Sequence, residues 1–397
     1  MERSLIVSLC SVGFLANFSY AVARTPVLPL FALFLGAGPE AIGLAVGIST
    51  VTGIFFKLPS GALSDVIGRR KTMLMGLAFF AVIPFAYFFI TNYTMLVLVR
   101  FLHGFATAIY GPVAMAVIAD VAGERKGEML SWFSSVGIVG TLAGAPVGGF
   151  LLSFLGGGGQ SGTGFTVAFA VVSVTGVMAF VLGAKTLLKE EQTGSRAGFS
   201  KLADFFTGIR EVVSDKRVLV TSSMEGVQNM ALGALQAFLP IYAVTVVGLS
   251  PFQTGLLWAM QIITTMVARP FMGRYSDRYG RKPLIVAGLL CCALPFMCIP
   301  WLYSFSSLMV ACLLFGFGEA VVTSSTAALV ADFCKANRYG AAMGAFGTIY
   351  DVGHASGPIL GGILVAVLGY AAAFALMGSV LLLAVPVFLY VLRTEAR

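Results

Sequence analysis

The sequence predicts an all-α membrane protein: twelve transmembrane helices in two six-helix, pseudo-symmetric halves. Three observations carry this expectation. The 397 residues are 58% hydrophobic and 11% charged, with a mean hydropathy of +0.94, whereas a soluble chain carries about 25% charged residues. Long apolar runs follow one another almost without pause, each able to cross a hydrocarbon core ~30 Å thick as a helix. Residues 36–149 also recur, without a gap, 212 positions later. The alternating ten-residue strands of a membrane barrel do not occur in this pattern.

The spans are expected at roughly 5–35, 41–64, 72–91, 94–120, 128–155, 165–187, 217–245, 251–273, 283–303, 305–332, 340–367 and 370–392. The opening "MERSLIVSLCSVGFLANFSYAVA" has the basic start and small-residue ending of a cleavable signal. Its apolar pattern continues through Pro29 to Leu35, however, so it is read as the first span. Orientation follows from the basic residues. Apart from Arg24, Lys57, Arg100 and Arg269, every Lys and Arg lies at a terminus, in a loop after an even-numbered span, or at the span end beside one. By the positive-inside rule both termini are cytoplasmic, in an inner or plasma membrane. The net charge of +8 then reflects topology and attraction to anionic lipid, and gives no reason to expect nucleic acid. The polar stretch 188–216 is expected to connect an N-terminal bundle (1–187) to a C-terminal one (217–397). The six cysteines show neither metal-ligand spacing nor a pair in external loops.

The repeat pairs Gly36 with Gly248, Pro39 with Pro251, Gly104 with Gly316, Asp120 with Asp332, Pro146 with Pro358 and Asn17 with Asn229. The chain has only seven Asp and fifteen Pro, so coincident pairs of both are hard to obtain by chance. Parallel halves of this kind are related by an axis along the membrane normal. The most conspicuous copies are "GALSDVIGRRK" (61–71) and "GRYSDRYGRKP" (273–283), each between the second and third helix of its half. Gly61 and Gly273 allow a neighbouring helix to approach, and Gly68 and Gly280 allow a tight turn. Asp65 and Asp277 can face a helix N-terminus, while Arg69 and Arg281 hold the loop at the inner surface. Together these residues read as a charged latch that holds in one conformation and opens in another.

On these residues the sequence resembles the major facilitator superfamily, whose signature loop reads G-x-L-a-D-r-x-G-r-k. "RFLHGFATA" (100–108) is similar to that family's fourth-helix motif, with His103 where Gln is usual. The resemblance spans the whole chain and implies alternating-access secondary transport, with helices 1, 4, 7 and 10 lining a central path. The fifth-helix antiporter motif G-P-x-x-G-G is altered here to "GAPVGG" (144–149), and its intact form "GPILGG" (357–362) lies in the eleventh helix.

An ionisable group at membrane depth is expensive and marks function by default. Lys57 and Arg269 stand near the cytoplasmic ends of their helices, where snorkelling accounts for them. The rest are divided unequally. The first half holds Arg24, Arg100 and His103; the second holds Glu225, Glu319, Asp351 and His354. Glu319, Asp351, His354 and Glu225 are therefore candidates for proton coupling, with Asp351 and His354 on one helical face. Arg24, Arg100 and His103, with the polar neighbours Asn17, Tyr20, Gln228, Asn229 and Gln236, are candidates for solute binding. Static ion pairing is the alternative for Arg24, Arg100, Glu319 and Asp351.

No nucleotide-binding loop, metal cluster or catalytic triad spacing occurs, so no enzyme, cofactor or metal is expected. The expected function is secondary transport of a small organic solute with protons, by antiport export. The alternatives are symport or facilitated uptake of an anionic or zwitterionic solute and, more remotely, a non-transporting receptor or sensor. The expected partners are the solute, protons and the bilayer, with the chain a monomer and no nucleic acid bound.

Overall fold

The computed structural model describes residues 2–157, 161–187, 215–334 and 339–394. All but the last two residues of the expected connector 188–216 fall outside them. The first membrane pass is α1 (Glu2–Val22) and α2 (Leu28–Phe34), separated by a π-type segment, Ala23–Val27. Pro26 supplies no N–H to the helical ladder, and Thr25 departs from helical dihedrals at φ −135°, ψ 124°. Then follow α3 (Pro39–Ile67), α4 (Arg69–Val82), α5 (Tyr93–Val121), α6 (Lys126–Leu155) and α7 (Gly162–Leu187). The second series is α8 (Lys216–Thr245), α9 (Pro251–Tyr279), α10 (Arg281–Cys298), α11 (Phe305–Phe333) and α12 (Tyr339–Thr394).

Among the described residues, ten helices are long and apolar enough to cross a membrane. Two departures from the expected spans have simple causes. The helix α9 forms over 29 residues but is not one of the ten, because Gln253, Gln261, Arg269, Arg274, Asp277 and Arg278 dilute its apolar run. The last two spans run together as the 56-residue α12, divided only at Gly369, where φ 74° and ψ 174° leave the helical region. With these accounted for, the chain makes twelve helical passes.

The sequence repeat is visible in local structure. Gly68 (φ 101°) and Gly280 (φ 90°) precede α4 and α10 in a left-handed conformation that an L-residue adopts only under strain. Asn92 and Ser304, also 212 apart, are the N-caps of α5 and α11; their side chains accept from Met95 N at 2.9 Å and Ser307 N at 3.2 Å.

The chain divides into two compact units, residues 1–37, 48–200 and 250–256, and residues 38–47, 201–249 and 257–397. In the first unit, α6 presents Gly140, Gly144 and Gly148 to α1 and the segment after it. A Cβ on Gly140 would stand 2.6 Å from the Phe14 carbonyl oxygen, so the two backbones are in contact. Small residues at this spacing let membrane helices pack by van der Waals contact where no hydrophobic drive exists. Core residues including Leu9, Val12, Leu77, Phe80 and Val113 fill the space between α1, α4 and α5. In the second unit, Gly353 and Gly357 on α12 do the same against the Gly226 and Met230 carbonyls of α8. Met224, Leu289, Val322 and Phe388 fill the core beside them.

Candidate functional site

Each unit buries a polar cluster where two helices meet at a glycine, Gly104 or Gly316, and these two clusters share a plan with opposite charge. In the first unit, Gly104 on α5 meets α3 so closely that a Cβ there would lie 2.7 Å from both the Ser49 carbonyl oxygen and Thr52 Cβ. One turn before Gly104, Arg100 is fully buried. Its Nη2 donates to Ser49 Oγ at 2.6 Å and to the Tyr20 hydroxyl at 3.3 Å, and its Nη1 donates to the Tyr87 hydroxyl at 3.4 Å. Tyr87 comes from the 3₁₀ turn Ile83–Phe89 that ends the third pass. Its oxygen also lies 3.1 Å from His103 Nδ1. The hydroxyl can donate to Nδ1 or accept from it, and the imidazole tautomer sets which. Arg100 Nε and His103 Nε2 are buried without a hydrogen-bond partner.

Tyr20 stands at the middle of this cluster. Its hydroxyl donates to Ser49 Oγ at 3.0 Å, and its ring packs edge-on against His103 with centroids 5.2 Å apart. The guanidinium carbons of Arg100 and Arg24 lie 5.3 and 5.8 Å from its ring centre, within cation–π range. Arg24 is half-buried, next to the break at Thr25. Among the described residues no carboxylate pairs with Arg100; its partners are three hydroxyls. Asn17 lies a turn earlier on α1 and donates to its own helix at the Gly13 carbonyl, 2.8 Å away.

In the second unit, Gly316 repeats the approach of Gly104: a Cβ there would stand 2.5 Å from the Gln261 carbonyl oxygen. Gln261 is the repeat partner of Ser49, and it too hydrogen-bonds a charged residue of the facing helix, Glu319. Glu319 Oε2 also accepts from Thr265 Oγ1 at 3.1 Å, and Oε1 lies 3.3 Å from Arg269 Nη2. Arg269 is therefore a partner of Glu319, which corrects the expectation that it merely snorkels. Closer to α8, the fully buried Glu225 accepts from Thr323 and Thr326, each at 2.9 Å, and from Asn229 Nδ2 at 3.2 Å. No cation lies within ion-pair distance of Glu225 among the described residues. Gln228 accepts from Asn229 at 3.0 Å, and Gln236, the repeat partner of Arg24, is buried two turns further on. Asp351 and His354 are buried on α12, with the His354 ring stacked 6.1 Å from Tyr350 and its backbone carbonyl against Gly233 of α8.

The loop motif forms an ion-pair chain in both units. Arg69 lies 3.3 Å from Asp65 and 2.6 Å from Asp120, and donates to the Ala116 carbonyl at 3.2 Å. Arg281 lies 3.1 Å from Asp277 and pairs with Asp332. Asp65 thus meets an arginine side chain where the sequence suggested a helix N-terminus. A Cβ on Gly61 or Gly273 would meet nothing within 4 Å among the described residues. Asp120 and Asp332 join these ion pairs unforeseen, although their coincidence in the repeat was the available signal. Ser49 and Gln261 carried the same signal. Tyr87, Thr265, Thr323 and Thr326 gave none, being ordinary polar residues of apolar helices. At the start of α8, Arg217 donates to Asp215 at 3.0 Å and holds that carboxyl below its ordinary range.

Twelve passes, parallel repeats and buried charges inside each helical unit define a membrane transporter. The chain belongs to the Major Facilitator Superfamily, whose model matches residues 9–264 and 225–397. It is 23% identical over 380 residues to an MFS-type transporter of Methanocaldococcus jannaschii, covering 92% of this chain and 90% of that one. It is 23% identical to the multi-drug resistance efflux pump PmrA of Streptococcus pneumoniae, covering 91% and 89%. Similarity to the human synaptic vesicular amine transporter, at 22% identity, covers 85% of this chain but 64% of that longer protein. The solved nucleoside transporter NupG shares the fold, with a TM-score of 0.79 at 14% identity over 97% of this chain and 98% of that one.

Proposed function

We propose that this chain is a proton-coupled secondary transporter that exports a small organic solute by alternating access. The observation that carries the reading is Glu225: a carboxyl buried in a membrane helix, held by two hydroxyls and an amide, with no cation in ion-pair distance. Such a group is costly as an anion, and Thr323 and Thr326 can accept a hydrogen bond as well as donate one. Glu225 can therefore gain and lose a proton without its surroundings being rebuilt. Glu319 carries the same chemistry but keeps Arg269 as a partner, which supports a structural role. Asp351 and His354 are second candidates for the proton path. Two of the relatives, an efflux pump and a vesicular amine transporter, support export.

In this reading a proton taken up by Glu225 from outside is released inside, and the solute travels in the opposite sense. The ion-pair chains at Arg69 and Arg281 hold one conformation and release in the other. In this reading both termini face the cytoplasm of an inner or plasma membrane, which the distribution of basic residues supports. The test uses proteoliposomes containing the full chain, an imposed pH gradient and an enclosed pH-sensitive dye. The proposal expects some members of a panel of organic solutes to dissipate the gradient only in vesicles containing the protein. A panel that crosses at rates indifferent to the gradient would remove the coupling claim.

A further inference from the structure

Arg100 has the features of a cation awaiting a partner. At matched places in the repeat, Ser49 and Gln261 each bond a charged residue of the facing helix, drawn close by Gly104 or Gly316. In the second unit the charge is the Glu319 carboxylate, and Arg269 neutralises it. In the first it is the Arg100 guanidinium, and only the Ser49, Tyr20 and Tyr87 hydroxyls answer it. A buried charge left with neutral partners is costly compared with a paired one. Two further nitrogens beside it, the donor Arg100 Nε and His103 Nε2, are buried without a hydrogen-bond partner among the described residues. Arg24 adds a second positive charge near the same Tyr20 ring, and it is half-buried where Arg100 is closed off.

We propose that the transported solute carries a carboxylate and a planar apolar body, and that the Arg24–Tyr20–Arg100 cluster binds it. The inference rests on the transport reading above and names the class of its solute. A carboxylate accepts two parallel N–H bonds from a guanidinium, a match that neither a neutral amide nor an ammonium makes. Tyr20 is the placeholder. Its hydroxyl occupies a donor of Arg100, and because the residue is only partly buried, a solute reaching Arg24 can displace it. The walls suit an aromatic body: Tyr20 packs edge-on to Phe80 at 6.4 Å and to His103 at 5.2 Å, and Tyr87 stacks on Phe169 at 4.4 Å. A cationic solute would instead meet the Arg100 guanidinium, whose partners among the described residues are hydroxyls.

The test measures binding alone, so it can fail while transport and proton coupling stand. Thermal unfolding of the purified full chain in detergent is followed with sodium benzoate, benzamide or benzylammonium chloride at constant ionic strength. A ligand of the native state raises the unfolding temperature in proportion to the logarithm of its concentration once saturating. The proposal expects an upward shift with benzoate, none with the other two, and loss of the benzoate shift in Arg24→Gln and in Arg100→Lys. If Arg100→Lys does not fold, Arg24→Gln at its half-buried site still decides. No shift with benzoate, an equal shift with benzylammonium, or a benzoate shift surviving in Arg24→Gln overturns the assignment.

Discussion

Replacing Gly104 by Ala tests whether close contact between α3 and α5 holds the buried arginine in place. The added methyl would stand 2.7 Å from the Ser49 carbonyl oxygen and Thr52 Cβ and 2.8 Å from Thr52 Oγ1. Ordinary contact begins near 3.4 Å, so the helices must separate by roughly 0.7 Å at this point. Overpacking of this kind costs about 1–3 kcal/mol. The same movement stretches the 2.6 Å bond from Arg100 to Ser49, and a hydrogen bond to a charged group contributes about 1.5–3 kcal/mol. Against this stands the better helix propensity of Ala, worth about 1 kcal/mol. The clash wins: with the bond lost outright, the net loss is about 1.5–5 kcal/mol. Gly111 on the same helix provides the control, since a Cβ there meets nothing within 4 Å. Intrinsic-fluorescence melting of the purified proteins should show a clear fall for Gly104→Ala and an unchanged or higher midpoint for Gly111→Ala. Equal stability of the two variants would refute the account of how α3 and α5 hold Arg100.

Other expectations follow from the ion pairs and the topology. Asp65→Asn should slow transport more than Asp277→Asn, because the Asp65 side chain is 28% exposed and Asp277 67%, and exposed pairs contribute only about 0–1 kcal/mol. Arg69→Gln, which removes both ion pairs at once, should slow it further; wild-type rates at equal expression would end the latch reading. Arg269→Gln strands a buried carboxylate and should lower stability by up to about 3 kcal/mol, while Arg269→Gln/Glu319→Gln should recover part of the loss in the same melting assay. In a cysteine-free background, a cysteine at Thr163 should react with an impermeant thiol reagent from outside and one at Ser131 should not. The reverse pattern would overturn the orientation.

The fold was largely legible in the sequence because bilayer thickness and the repeat leave few alternatives. Apolar length marked the passes, and the 212-residue offset marked the two halves, down to the paired caps Asn92 and Ser304. The break at Thr25–Pro26 was not foreseen, because a proline inside a membrane helix is compatible with either a kink or continuity. The candidate site was half legible. The charges Arg100, Glu225 and Glu319 stood out against apolar helices, since their cost demands a reason. Their partners did not, because a serine such as Ser49 or a threonine such as Thr326 is equally content bonded to its own helix. Which acid stands without a cation could be learned only from three-dimensional placement: Arg269 lies fifty residues from Glu319 in sequence and reaches it from the neighbouring helix α9. That placement moves the first choice for proton carriage from Glu319 to Glu225.

The most direct test of the proton-coupling claim compares the wild-type chain with Glu225→Gln in proteoliposomes, using a solute the wild type carries. The two hydroxyls donate to different carboxylate oxygens; the Gln oxygen still accepts from one, and its amide N–H can donate to the other, so folding should survive. With labelled solute on one side and unlabelled on the other, both proteins should exchange it, since exchange needs only the loaded carrier to reorient. With a one-unit pH gradient imposed, one-for-one coupling can sustain up to a ~tenfold solute gradient. The account predicts such accumulation for the wild type and none for Glu225→Gln. Gradient-driven accumulation by Glu225→Gln at the wild-type level would contradict it.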